Sequence, residues 1–312
     1  MAKKKNSKNK TVIRRVAKIP RSPLDAQGLA YARLLADPCN APLVHPVYSG
    51  TEGGYLIRAD SFLTVGANAL EQAGVFQWVP GGIDALQDNI LLGAAANATT
   101  AINPGVSGAA SPAWDFLTNT ASQVRCVAAC LRIMYPGSES SRSGRIAFGQ
   151  ASGALLKSGV TVTANNLANT MAHYCRTPAD EIEVVWKPND ADQLFRNPAL
   201  NGALQDLDRR AALVCSFAGL PAATGVVFRM TAVYEWQPRV NEGIAVPNLS
   251  KSMSSNTLDD VVNYLIQRGY GFINGAAASA GHGLSAGLIS GISGVFGVMP
   301  SVTTSRSRRV MG

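Results

Sequence analysis

The sequence predicts an all-β fold: an eight-stranded antiparallel jelly-roll sandwich, preceded by a disordered basic arm and followed by a helical C-terminal segment. Three observations predict it. "GVVFRMTAVYEWQP" (225–238) alternates over twelve positions with the period of a long, half-buried strand. Further short strand-like runs lie between about Gly54 and Pro238, with turn residues between them and few helical interruptions, which favours an antiparallel sandwich over a parallel α/β sheet. The excess positive charge sits at one end: nine Lys or Arg precede Asp25, the first acid. The chain carries +8 overall, yet removing those nine from its 28 cations leaves 19 against 20 acids, so the body is near neutral. At 46% hydrophobic and 15% charged residues, that body is suited to a compact core.

Taken in order, residues 1–27 form the arm, with Lys3, Lys4, Lys5, Lys8, Lys10, Arg14, Arg15, Lys18 and Arg21 as its cations. Such a tether binds phosphate by releasing counterions, without reading sequence; a solubilising or nuclear-targeting tail has the same composition. Residues 28–53 lead from the arm to the strands, which occupy 54–238. "SFLTVG" and "VFQWVP" come first, and Gly81 to Ser122 reads as a long loop rich in Gly, Ala, Asn and Ser. "VRCVAACLRIMYPG" is apolar on both faces and ends in a Pro-Gly turn, as a strand sandwiched in a core does; "RIAFGQ" follows it. "NNLANTMAHYC" (165–175) and "NDADQLF" (189–195) read as helical, the latter capped by Asn189 or Asp190. "EIEVVWKP" sets Ile182, Val184 and Trp186 against Glu181, Glu183 and Lys187, and "RAALVCSF" has its bulkier face at Ala211, Leu213, Cys215 and Phe217. In the long strand, Val226, Phe228, Met230, Ala232, Tyr234 and Trp236 share one face, leaving Arg229, Thr231 and Glu235 on the other. Residues 239–274 comprise a polar linker and a helix in "TLDDVVNYLIQRGYGFIN", capped by Asn256 or Thr257, with Asp259 and Asp260 in its first turn. The tail, 275–312, falls mostly within a run from Gly269 to Ser305 that holds no Asp, Glu, Lys or Arg.

The residues that carry chemistry are few. Five cysteines and three histidines are scattered, without the close spacing of a structural zinc site, and each cysteine reads as small core filler in a reducing compartment. No phosphate loop, nucleophile elbow or facing carboxylate pair marks the chain as an enzyme. The acidic pairs Asp190/Asp192 and Asp206/Asp208 suit either helix caps and solvated loops or an oxygen-ligated Ca²⁺. A non-viral single-stranded nucleic-acid-binding β-sandwich protein would interleave cations and aromatics on one exposed face; here the aromatics fall mainly on apolar strand faces. A membrane-inserting toxin would explain the tail and leave the arm unexplained.

Several stretches together resemble the capsid proteins of nodaviruses and noda-like or tombus-like icosahedral RNA viruses. The resemblance rests on "SQVRCVAACLRIMYPGSESSRSGRIAFGQ" (122–150), "AVYEWQP" (232–238), "GLAYARLLADPCNAP" (28–42), and the order arm, barrel, linker, helix, small-residue apolar tail. It implies a jelly-roll coat protein that self-assembles into an icosahedral homo-oligomeric shell in the host cytoplasm, becomes part of the virion, and packages viral RNA through its arm. It requires no cofactor, and Ca²⁺ between subunits is a family feature. The family also implies a single-turnover self-cleavage after Asn274, at Asn274-Gly275. The Asn side-chain nitrogen attacks its own backbone carbonyl, a following glycine leaves that approach unobstructed, and Asp37 matches the family's acid, which acts un-ionised. Asn-Gly and Asp-Pro are also ordinary turn pairs. The freed peptide acts on a host membrane. Here Gly283, Gly287 and Gly291 recur every fourth residue, the spacing at which helices approach closely in lipid, with Leu284, Leu288 and Phe296 supplying apolar bulk. The chain departs from the family in the glycine after Asn274 and in lacking a large protruding domain.

Overall fold

The computed structural model describes residues 23–48, 53–82, 89–106, 111–156, 160–171, 181–198, 209–240, 243 and 254–270, with 173–176 described by backbone alone. Its strands are β1 (Tyr55–Val65), β2 (Ala73–Trp78), β3 (Ile90–Ala95), β4 (Gly105–Val106), β5 (Ala121–Met134), β6 (Arg145–Ser152), β7 (His173–Arg176), β8 (Ile182–Val185), β9 (Ala211–Ala218) and β10 (Val226–Pro238). Helices α1 (Ala26–Ala36), α2 (Trp114–Thr120), α3 (Ala164–Thr170) and α4 (Leu258–Gln267) accompany them.

The strands form two sheets. Sheet A has the order β1-β10-β5-β8 and sheet B the order β4-β3-β2-β9-β6-β7, every pairing antiparallel. Four of the pairs are nested in sequence, β1 with β10, β2 with β9, β5 with β8 and β6 with β7, and they alternate between the sheets.

The alternating residues of β10 behave as their pattern requires. Val226, Phe228, Met230, Ala232, Tyr234 and Trp236 enter the core between the sheets, beside Leu131 and Ile133 of β5 and Leu213, Cys215 and Phe217 of β9. Phe76 of β2 stacks on Phe228 at 4.1 Å between ring centroids, and the buried Trp186 indole donates to Ala211 O at 2.9 Å, so both sheets are held by aromatic side chains reaching across.

Each sheet also has a covered outer face. On sheet B, α3 places Ala164 and Leu167 against Val75, Ala212 and Val214. On sheet A, α1 and α4 place Tyr31, Leu34, Leu35, Val261 and Leu265 against Val127, Ala128 and Val233. This is why β5 and β9 are apolar on both faces: each lies between two layers.

Four expectations change. Ten strands are described where eight were expected, because β3 and β4, with α2, lie within the segment read as loop 81–122. The helix expected over 165–175 ends at Thr170, where Met171 turns extended, and β7 follows. The segment 28–42, read as a connection, is largely helix α1. Two cysteines read as core filler, Cys39 and Cys130, form a disulfide; Cys126 and Cys215 are buried in the core between the sheets. The expected C-terminal helix is present, with a capping box between Thr257 and Asp260.

Candidate functional site

The outer face of sheet A gathers most of the polar chemistry of the described chain. Asp25 begins it. Its carboxylate caps α1 by accepting from Gly28 N at 2.6 Å and also accepts from Ser254 Oγ and Ser255 N, both at 3.0 Å, while Asp25 N donates to Asn256 Oδ1 at 2.9 Å. One acid thus ties the start of α1 to the segment that leads into α4. Burial opposes its charge, but these donors outweigh burial and hold its pKa below the usual value. The helices run side by side, and α1 stops at Asp37 because the next residue is Pro38, which disfavours helical geometry before it.

After a turn at 38–41, residues 42–48 form a strap without regular secondary structure that packs Val47 and Tyr48 on the outer face of sheet A. The middle of the strap is fastened by a buried ion cluster. Glu235, on the outward face of β10, is fully buried; its Oε2 lies 2.7 Å from Arg125 Nε and 2.6 Å from Arg125 Nη2. Its Oε1 accepts from Gly54 N at 2.8 Å and lies 2.8 Å from His45 Nδ1 on the strap. Gly54 has to be glycine here, since a Cβ would meet Trp236 O at 2.4 Å. Arg125 is sandwiched between the rings of Tyr48 and Phe195, at 4.9 and 4.1 Å from their centroids. Burial on its own would raise the Glu235 carboxyl, but His45, Arg125 and the Gly54 N–H together hold it below its ordinary value. Tyr31 closes the cluster by donating to Val127 O at 2.9 Å. Sequence alternation placed Glu235 on the polar face of its strand; the helical layer makes that face an interior.

At the far end of the helix pair lies a second group. Asp37 caps the turn after α1, its Oδ1 accepting from Asn40 N at 3.0 Å and Asn40 Nδ2 at 2.9 Å. Beside it, Cys39 is bonded to Cys130 of β5, and a Glu183 carboxylate oxygen lies within 4.8 Å of both sulfurs. Glu183 pairs with Arg132 at 3.0 Å. Burial pushes the Glu183 carboxyl up, and the charges of Asp37 and Glu181 add to that against the pull of Arg132. Tyr270 faces the same group: burial raises its phenol, and Asp37 and Glu183 raise it further. Two thiolates with Glu183 would suit a thiophilic cation; as a disulfide the sulfurs form a cross-link instead.

The remaining sequence-predicted residues divide in two. The arm cations from Lys3 to Arg21, Asn274, Gly275, the tail residues Gly283, Leu284, Gly287, Leu288, Gly291 and Phe296, and Asp206 and Asp208 lie outside the described residues. Asp190 and Asp192 are described, and they diverge. Asp192 is buried, with Oδ2 accepting from Asn189 N at 3.0 Å and Ala211 N at 3.3 Å; burial pushes it up to about 6 against the pull of those N–H groups and of Arg210. Asp190 is exposed and accepts from Gln193 Nε2 at 3.1 Å. It lines a 660 Å³ surface cavity of mixed charge, with Lys187, Arg196, Arg209 and Asp259. Within this chain Asp192 thus caps the turn that begins at Asn189, while Asp190 faces solvent. No described helix is long and apolar enough to cross a membrane.

The described residues therefore define an antiparallel two-sheet β-sandwich with helices over the outer face of each sheet. A virus structure shares this fold. The chain is similar to a structure of infectious bursal disease virus, Gx strain, at TM-score 0.53 and 9% identity, over 77% of this chain and 94% of that one. It also aligns with the VP2 subviral particle of infectious bursal disease virus (TM-score 0.49, 8% identity, 77% and 95% covered). Tobacco necrosis virus aligns at TM-score 0.36 and 15% identity, over 60% of this chain and 97% of that one. No protein-family model matches the sequence, and no curated protein sequence does.

Proposed function

We propose that this chain is a viral coat protein that closes into an icosahedral shell as part of the virion, after assembly in the host cytoplasm. It packages RNA through residues 1–27 and carries a membrane-active tail at 275–312, with 54–238 as the shell domain and 239–274 as linker and helix. The observation that carries this reading is the helical layer: α1 and α4 lie together on sheet A, so Leu24, just after the arm's cations, and Tyr270, inside the 269–305 run without charged residues, both lie on one face of a near-neutral body. The nested pairs β1–β10, β2–β9, β5–β8 and β6–β7 favour a jelly roll, in which one long antiparallel ribbon wraps around a core, with β3–β4 as an added hairpin. Many copies in one shell would make weak phosphate contacts collectively strong.

Self-cleavage after Asn274 belongs to the same proposal. Tyr270 feels the charges of both Asp37 and Glu183, and four further residues span at most about 14 Å. Asn274 itself lies outside the described residues, four positions beyond Tyr270. Glu183, whose carboxyl is pushed up, is a second candidate beside Asp37 for the proton that polarises the Asn274 carbonyl. The cleavage chemistry needs only these side chains, and Ca²⁺ held between subunits belongs to the same proposal.

Purified protein is expected to sediment as uniform shells holding nuclease-protected RNA, and deletion of residues 1–22 is expected to give shells that lose it. Monomers at every ionic strength would refute the reading. Intact mass of aged particles tests cleavage: loss of residues 275–312, abolished in Asn274→Ala, is the expected result. The acid is whichever of Asp37→Asn and Glu183→Gln retains the full mass.

A further inference from the structure

We propose that Cys39 and Cys130 form a thiol–disulfide latch fastening the strap and the end of α1 to sheet A, which a small thiol reductant opens. The proposal stands on the cross-link and its packing and does not depend on the shell reading.

The two sulfurs are unequal. Cys39 sits half-buried in the turn between α1 and the strap, while Cys130 is fully buried on β5, where Thr231 of β10 and Val185 of β8 are its ladder neighbours. The bond therefore joins a surface turn to the middle of a sheet, across 91 residues of sequence. It is the only covalent tie between the helical layer and the sandwich among the described residues. The polar fasteners of the strap include Arg58, which donates to Ala41 O, Gln27 Nε2, which donates to His45 O at 2.6 Å, and His45, which meets Glu235. All three act at or after Ala41. Apolar packing of Leu34 and Leu35 on one side and Val47 and Tyr48 on the other flanks the turn at 37–40, where the disulfide adds to the local Asp37–Asn40 bonds.

The chemistry follows from that asymmetry. A thiolate attacks the accessible Cys39 sulfur, forming a mixed disulfide and expelling the Cys130 sulfur, which takes up one proton. A second small thiol then attacks the mixed disulfide, releasing a small-molecule disulfide and leaving Cys39 as the thiol. Two thiols are oxidised and one protein disulfide is reduced. Glu183 disfavours an approaching thiolate and Arg132 offsets it, so opening requires a concentrated reductant. Cys126 and Cys215 are fully buried, and burial raises the Cys126 thiol, so neither is exposed to a reductant as Cys39 is.

The test uses the full chain. Denatured without reductant and alkylated, it should take up three adducts, one for each cysteine outside the pair, and five after reduction. Reductant should lower the thermal midpoint by roughly 10 °C. Amide exchange in 26–48 and 258–267 should accelerate by about tenfold, while that in 211–218 changes by less than about twofold. Cys39→Ser should match the reduced protein and ignore reductant; if that variant does not fold, the reductant titration of the unaltered chain decides. Five adducts without reductant, or unchanged exchange in 26–48 after reduction, would overturn the latch. None of these readouts needs a shell, so a failed latch and a failed shell reading give different results.

Discussion

The two outer faces of the sandwich solve the same packing problem with different chemistry. Over sheet B the cover is local and neutral. Helix α3 packs on the distant strands β2 and β9 but leads within three residues into β7 of the same sheet, and buried polar groups there include Gln77, bonded to Gly153 O and Leu156 N and O, and Ser216, bonded to Ala164 O at 2.7 Å. Over sheet A the cover comes from both ends of the folded body, and charges, aromatic rings and a cross-link hold it down. A face closed by distant segments lacks the short connections that keep α3 in place, so specific polar fasteners must supply the register. Those fasteners respond to pH and to reductant, and a neutral face does not. The difference teaches that sensitivity to conditions is concentrated where the chain ends depart.

That contrast can be tested in order of expected effect. Glu235→Ala leaves Arg125 buried without its partner and is expected to cost about 3–5 kcal/mol in urea denaturation. The equivalent insult on sheet B, Gln77→Ala, strands neutral groups and should cost about 1–3 kcal/mol; equal costs would erase the distinction.

The pH response is expected to have two parts of opposite sign. Glu235 is depressed, so its contribution is present above its ordinary 4.5 and is lost as pH falls through its lower folded value. Asp192 is raised from 3.8 to about 6, so its contribution is present below 3.8 and is lost as pH rises through about 6. Stability should therefore fall by roughly 2 kcal/mol between pH 4 and 6 from Asp192, and Asp192→Asn should flatten that segment in denaturation curves. The smallest effect expected is that of Asp25→Ala, about 1 kcal/mol from a lost cap, read as faster amide exchange at the starts of α1 and α4 together. Faster exchange at α1 alone would show that the tie to Asn256 is not coupled.

Much of the sandwich was legible because its signals are local. The alternation of 226–237 placed six residues in the core, the two-faced apolar run of β5 announced a strand between layers, and Thr257 with Asp260 marked the start of α4. What was not legible depends on partners far away in sequence. "ILLGAA" in β3 is short and ends in small residues, so it reads as loop until β2 pairs with it. β7 was hidden behind a helix that stops sooner than its composition suggests. Glu235 looked solvent-facing because a strand pattern does not reveal a second layer above it. No spacing rule joins cysteines 91 residues apart. Of the candidate site, Asp37 was singled out from its resemblance alone, while Glu183 and Tyr270 entered only when folding brought them beside it.

The parallel pairing of α1 and α4 has one more consequence. Their starts are joined through Asp25 and Asn256, and their far ends meet near Asp37 and Tyr270. The entry point of residue 23 and the departure point of residue 270 are thus offset by about one helix length, roughly 16 Å. Two small reporters attached at residues 23 and 270 themselves would sit on the same side of the sandwich, close enough to register each other by energy transfer.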